Sequence, residues 1–192
     1  MSYFIGIADS ADTRHAARLS EWYQESSEER GTGIAVRTEE YLTRKILRGK
    51  SIIAKDGDIL IGFCYIEDFE NKQYVSNSGL IVHSDYRGKG IAKQIKVAAF
   101  QLARNKYPNA RIFGITTSDI VMKLNSQLGY IPVPLHKLTQ DDEFWNGCSS
   151  CKNFDILMRN NKQMCLCTGM LAPSKREFDQ QQKTIENDIT KK

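Results

Sequence analysis

Long hydrophobic runs are missing from this chain of 192 residues. No window approaches the roughly 20 apolar residues that a membrane-spanning helix needs. The N-terminal stretch reaches Asp9 and Asp12 too soon for a signal peptide, so a cytoplasmic protein without a membrane partner is expected. Histidine is scarce, three in all; His15 and His136 have no recognisable partners, and His83 reads as the cap of a turn. A dominant charge is lacking too. Against 27 Lys and Arg stand 23 Asp and Glu, interleaved almost everywhere, which leaves no concentrated basic face for nucleic acid. There are no internal repeats. The five cysteines are expected to stay reduced inside a cell, and Cys64, within an apolar strand, reads as core.

What is present is alternation of elements. Ser2 to Ile7 reads as a short strand, and Thr13 to Glu29 carries Ala16, Leu19, Trp22 and Tyr23 at helical spacing before Gly31 and Gly33 break it. Thr38 opens a second helix with Leu42, Ile46 and Leu47 on one side and Gly49 as its stop. SIIAKDGDILIGFCYIEDF reads as two strands joined at Asp56-Gly57-Asp58. Another strand runs from Tyr74 to Val82. A long helix follows from Ile91, with Ile95, Ala98, Ala99 and Leu102 on one face, and ends at Tyr107-Pro108. ARIFGITT is a strand, Ser118 to Leu128 a helix, and Gly129 to Val133 begins a further strand. This order predicts an α/β protein with a sheet of mixed direction. From Ser174 onward the chain is polar and reads as an exposed tail.

The segment SDYRGKGIAKQ, Ser84 to Gln94, joins a strand end to a helix start through two glycines. Unpaired N–H groups at the positive helix end bind phosphate. Glycine allows close approach to the backbone, and Arg87 and Lys89 add charge. The stretch is not a P-loop, because no Gly-Lys-Ser/Thr triplet follows a spaced first glycine. It is not the dinucleotide fingerprint either, since a third glycine is missing and hairpin strands precede it.

Arg87-Gly88-Lys89-Gly90-Ile91-Ala92, in this order of strands and helices, resembles the acyl-CoA signature of the GNAT acyltransferase superfamily. The resemblance implies a mostly antiparallel central sheet with splayed middle strands, flanked by helices, over a core at 1–140. It implies transfer of an acyl group from acetyl-CoA or succinyl-CoA to a small-molecule amine. The pyrophosphate would lie on Gly88 to Ala92 and the pantetheine beside Leu80, Ile81 and Val82, with a backbone N–H near Ile81 for the thioester carbonyl. The tyrosine that many relatives use as acid is missing: counting back from Gly129-Tyr130, its position holds Asn125, which can donate a hydrogen bond but cannot act as a phenol. Glu67 is a candidate base, or a solvated strand end.

Arg30 and Arg37 flank Gly31-Thr32-Gly33 between the first two helices. Guanidinium forks suit paired carboxylates, although the same residues could simply solvate a helix end. GTGIA with Arg37, GFCYIE, VMKLNSQLGY, FWNGCSSCKNFDIL and MCLCTGML are similar to stand-alone N-acylglutamate synthase-like proteins of bacterial arginine biosynthesis. That likeness implies glutamate as acceptor. Protein or peptide N-acetylation, a catalytically silent acyl-CoA-binding domain, and a homodimer stay open. Cys148, Cys151, Cys165 and Cys167 bracket an expected strand at Phe154 to Met158, so that a hairpin would gather four thiolates for a structural zinc ion. Free thiols or a redox pair are the other readings. Residues 141–173 are expected to complete or pack on the core, and 174–192 to form the tail.

Overall fold

The computed structural model describes residues 3–30, 34–180 and 183. Seven strands form one sheet: β1 (Phe4–Ile7), β2 (Ser51–Asp56), β3 (Ile59–Phe69), β4 (Tyr74–Val82), β5 (Arg111–Thr116), β6 (Ile131–Val133) and β7 (Thr168–Ala172). Their spatial order is β1-β2-β3-β4-β5-β7-β6. Among the described residues, only the β4–β5 contact is parallel. The segment 141–173 thus supplies β7, which lies between β5 and β6.

Helices cover both faces. On one side α3 (Ile91–Lys106) packs Ile91, Ile95, Ala99 and Leu102 against Ile52, Cys64, Val75 and Ile112. On the other, α1 (Ala16–Arg30) and α2 (Glu39–Leu47) enclose Leu19, Tyr23, Leu42 and Ile46 with Phe63, Tyr65 and Ile81. This two-sided burial explains why β3 is apolar almost throughout, whereas a half-exposed strand would alternate. The first helical segment differs from the expected one: Ser10–His15 forms a 3-10 turn capped by Asp9, and the α-helix begins only at Ala16. Leu47 also departs from expectation, with 60% of its surface exposed. The inward face of α2 is set by Leu42, Lys45 and Ile46, and the next residue turns about 100° away from it.

The β4–β5 ladder is short. Tyr74, Val75 and Ser76 pair with Arg111, Ile112 and Phe113, and the two strands then part. β5 continues along β7, and β4 along β3. From Asn77 onward β4 therefore turns an unpaired edge toward β5, and the sheet opens into a fork. A bulge shapes the same place. Phe63 faces Ile81 while Tyr65 faces Ser78, so β4 holds one extra residue. Gly79 takes the left-handed backbone this requires, φ +67°, and a Cβ there would run into the Tyr65 ring and lie 2.8 Å from the Tyr23 hydroxyl.

A third cluster is built around Phe69, Phe113, Leu135, Leu138 and Trp145 by α5 (Asp142–Asn146) and α6 (Phe154–Arg159). Residues 154–158, expected as a strand, are helical. Phe154 and Leu157, three apart, both turn into this cluster, a spacing that a helix places on one face and a strand does not. The polar tail begins with a helical stretch at 175–180. Glu177 fixes it, receiving hydrogen bonds from Arg111 and from the Ser174 N–H and hydroxyl.

Candidate active site

The Arg87–Ala92 turn is built as the glycines suggest. Gly88 and Gly90 have φ of +77° and +76°, and a Cβ on either would meet nothing within 4 Å. They are glycines because of backbone conformation and not because of crowding. Gly90 is the N-cap of α3 and carries no side-chain cap, so the first N–H groups of a 16-residue helix remain available to an anion. The turn is braced from below: Arg87 Nε donates to the Val82 carbonyl at 3.2 Å, and the Tyr86 hydroxyl donates to Asp56 at 3.0 Å. Lys89 Nζ lies 4.7 Å from the centre of the Tyr86 ring. His83 accepts from the Asp85 N–H and starts the short 3-10 turn 84–86, the capping role expected of it. The open edge of β4, with Leu80 to Val82, runs from the fork to this turn.

On the α1/α2 side, four elements converge at the bulge. Tyr23 of α1 donates its hydroxyl hydrogen bond to the Gly79 carbonyl. Arg37, just before α2, donates from Nε to the Tyr65 hydroxyl at 2.5 Å and from Nη1 to the Val36 carbonyl at 3.0 Å. Its guanidinium lies 5.9 Å from both the Tyr41 and the Tyr65 ring centres. Among the described residues no carboxylate pairs with it. Burial opposes its charge, but Tyr65, Tyr41 and Tyr23 around it together more than offset this, so its pKa is raised. Burial pushes the Tyr23 and Tyr41 phenols up, so both remain hydrogen-bond donors. Gly31 to Gly33 and the Arg30 side chain, the other half of the expected carboxylate clamp, lie outside the described residues.

The chain thus combines an uncapped helix start, a forked sheet with a bulge just past its apex, and a half-buried arginine beside that bulge on the face opposite α3. The family model described as "Acetyltransferase (GNAT) family" matches residues 16–121, which is more than half of the chain. The chain belongs to the GNAT acetyltransferase family. Solved GNAT structures share its architecture. An N-acetylglutamate synthase from Neisseria gonorrhoeae, solved with coenzyme A and N-acetyl-glutamate, has a TM-score of 0.63 at 18% identity over 90% of this chain and 35% of that one. This chain therefore spans little more than a third of that synthase's length. A Mycobacterium tuberculosis protein solved with CoA and NLQ gives 0.62 at 15%, over 88% and 98% of the two chains. The paia N-acetyltransferase of Thermoplasma acidophilum, in complex with coenzyme A, gives 0.57 at 14%, over 90% and 99%. At such identities the likeness shows the fold alone. No curated protein matches the sequence significantly.

Within this GNAT frame the other expected residues fall as follows. Asn125, on α4 (Asp119–Gln127), is 1% exposed and directs Nδ2 to the Met170 sulfur at 3.4 Å. Its Oδ1 has no partner among the described residues. Glu67 pairs with two lysines, Lys45 and Lys50, the latter at 2.7 Å, and burial lowers the Lys45 pKa to about 7. Both of its oxygens are thus already engaged by lysines.

Cys148, Cys151, Cys165 and Cys167 are free thiols in one neighbourhood. Burial, and then each other's presence, raises Cys167; burial pushes Cys148 up to about 11 although Arg37 opposes the rise. Among the described residues, no group of three or more His, Cys, Asp or Glu side chains is arranged to hold a metal ion. The tetrahedral zinc site expected from the spacing is therefore not formed. The hairpin that was to gather the thiolates is replaced by α6, which sets the two cysteine pairs on irregular backbone at its two ends. The module instead braces the segment before α2: the Val36 N–H donates to Ser150 Oγ at 2.9 Å and Arg37 Nη1 to the Gly147 carbonyl at 3.4 Å.

Sequence reasoning missed Tyr23, Tyr41 and Tyr65 as companions of Arg37, because three separate elements bring them together. It also missed the bulge at Gly79. The available signal was a lone glycine inside a strand pattern.

Proposed function

We propose that this protein transfers an acyl group from coenzyme A to the amine of a small dicarboxylic acceptor, with glutamate the best fit. The observation that carries the reading is Arg37, a half-buried guanidinium without a carboxylate partner among the described residues, set beside the bulge on the face opposite α3. A substrate carboxylate would complete it. The pyrophosphate of the co-substrate would lie on the amides of Gly88 to Ala92, and the pantetheine along the open β4 edge at Leu80 to Val82. The thioester would then sit at the fork, its carbonyl polarised by a backbone N–H next to the bulge, near Ile81. The neutral amine attacks the thioester carbon, the C–N bond forms, the C–S bond breaks, and CoA leaves as its thiol. The N-acetyl-glutamate seen with the Neisseria synthase supports glutamate as acceptor, as does the sequence likeness to N-acylglutamate synthase-like proteins of arginine biosynthesis. Acetyl and succinyl are the candidate acyl groups.

A thiol-release assay tests the proposal, with acetyl-CoA and succinyl-CoA offered against amino acids, polyamines and peptides. Glutamate should support turnover. Arg37→Ala should raise its KM about tenfold to a hundredfold, since a charge-assisted hydrogen bond is worth about 1.5–3 kcal/mol. CoA affinity should hold. Turnover with polyamines or peptides and none with glutamate would remove the dicarboxylate assignment and leave the acyltransferase reading standing.

A further inference from the structure

The α3 side of the fork holds a second constellation. Lys96 belongs to the buried face of α3 and is 2% exposed. Its Nζ donates to Asn77 Oδ1 at 3.1 Å, and no carboxylate among the described residues pairs with it. The same oxygen accepts from the Cys64 thiol at 3.0 Å. Asn77 is the first β4 residue past the last pair with β5, and its carbonyl lies 3.4 Å from where a Cβ on Gly114 would stand. The polar group holding Lys96 is therefore at the apex of the fork. Tyr130, directly before β6, lies against Asn77, with its ring centre 5.9 Å from Lys96 Nζ. Asn125 reaches the same region through Met170, which pairs with Gly114 across β5.

Asn125 Oδ1 is buried and lacks a partner among the described residues. Asn77 Nδ2 and the Tyr130 hydroxyl lie close to one another without reaching full hydrogen-bond geometry. Buried polar atoms are ordinarily paired, and a buried cation without a counter-ion is more unfavourable still. Unmet hydrogen-bonding capacity and a buried lysine without a counter-ion thus coincide at one point. A polar ligand that develops negative charge would meet both needs.

We propose that Lys96, positioned by Asn77, is the counter-charge and proton donor for the departing CoA thiolate, in place of the phenol that the Asn125 position lacks. The inference rests on the acyl-CoA reading above, which puts the thioester sulfur at the fork. As the C–S bond breaks, its electron pair goes to sulfur, and a proton from the Lys96 ammonium converts the thiolate to the free thiol. The amine nitrogen loses its surplus proton to water on becoming an amide, and water returns a proton to Lys96. Among the described residues, the titratable groups facing Lys96 are Cys64 from β3 and Tyr130 just before β6, and α3 contributes no further ionisable contact. Burial lowers the Lys96 pKa, which makes it a better donor than a solvated lysine.

The decisive measurement needs no acceptor. The full chain is saturated with CoA, and thiolate absorbance is followed against pH with desulfo-CoA as the blank, so that only the bound sulfur registers. A cation at about 4–6 Å should lower the thiol pKa by about 1 to 3 pH units from that of free CoA, and Lys96→Met should abolish the shift. In turnover, Lys96→Met should lower kcat on the order of 100-fold with the KM for acetyl-CoA unchanged, and remove the fall in rate at high pH. Methionine fills the lysine volume without charge, and thermal melting checks that the variant is folded.

A bound thiol with the same pKa in wild type and Lys96→Met overturns the proposal. So does a Tyr130→Phe variant that loses the pKa shift while Lys96→Met keeps it, since the phenol would then be the donor. Failure of CoA to bind at all would instead remove the acyl-CoA reading.

Discussion

Replacing Gly90 with valine separates two effects that the turn combines. The backbone there has φ +76°, a region that L-residues enter at a cost of about 1–2 kcal/mol. A Cβ would find nothing within 4 Å, so packing adds nothing to that cost within the protein. Gly57, in the β2–β3 turn, is a matched control, with φ +58° and equally open surroundings. For a chain of this size each kcal/mol corresponds to about 2–4 °C in Tm, so both valine variants should melt about 2–8 °C below wild type. Only Gly90→Val also plants a branched side chain where a phosphate would approach the first amides of α3. Its CoA affinity, measured by titration calorimetry, should fall at least about tenfold, or ~1.4 kcal/mol. An unchanged affinity in Gly90→Val, or an equal loss in Gly57→Val, would refute the assignment of this turn to the CoA phosphates.

Gly79→Ala should be far more damaging than either, because the added carbon meets the Tyr65 ring and the Tyr23 hydroxyl in addition to the left-handed backbone. Denaturant titration should show a loss of about 2–5 kcal/mol, the sum of strain and overpacking; a change below about 1 kcal/mol would mean that the bulge relaxes. Glu177, held down to about 2 by Arg111 against the opposing effect of burial, with help from Ser174, predicts a pH-dependent contribution to stability. Its carboxyl is more acidic folded than unfolded. The stabilisation is therefore full above about pH 4.5 and disappears as the pH falls toward 2. Melting curves of wild type and Glu177→Gln should differ near pH 6 and converge near pH 2; parallel curves throughout would show that the Arg111 pair contributes nothing.

Local chemistry made much of this protein legible from sequence. Asp56-Gly57-Asp58 announces a hairpin because a glycine is needed where φ is positive. Arg87 to Ala92 announces an anion site because a glycine N-cap without a capping side chain leaves helix amides unpaired. Both depend on residues adjacent in the chain.

The surroundings of Arg37 and the fork do not. Arg37 acquires its surroundings from Tyr23, Tyr41, Tyr65 and Gly147, which share no local pattern. Lys96 looks like any surface lysine of a helix, and only the small residues Ala92, Ala99 and Ala103, at −4, +3 and +7, hint that its face is covered. The cysteine spacing suggested a metal hairpin, but Phe154 and Leu157 found a better burial as a helix against Phe69 and Trp145. The sequence by itself determined the turns, the caps and the uncapped glycine start of α3, since these are set by backbone conformation over a few residues. Tertiary structure alone decided where the strands part, which cations are left without carboxylates and which thiols meet, because burial and charge balance are fixed only when distant segments pack together.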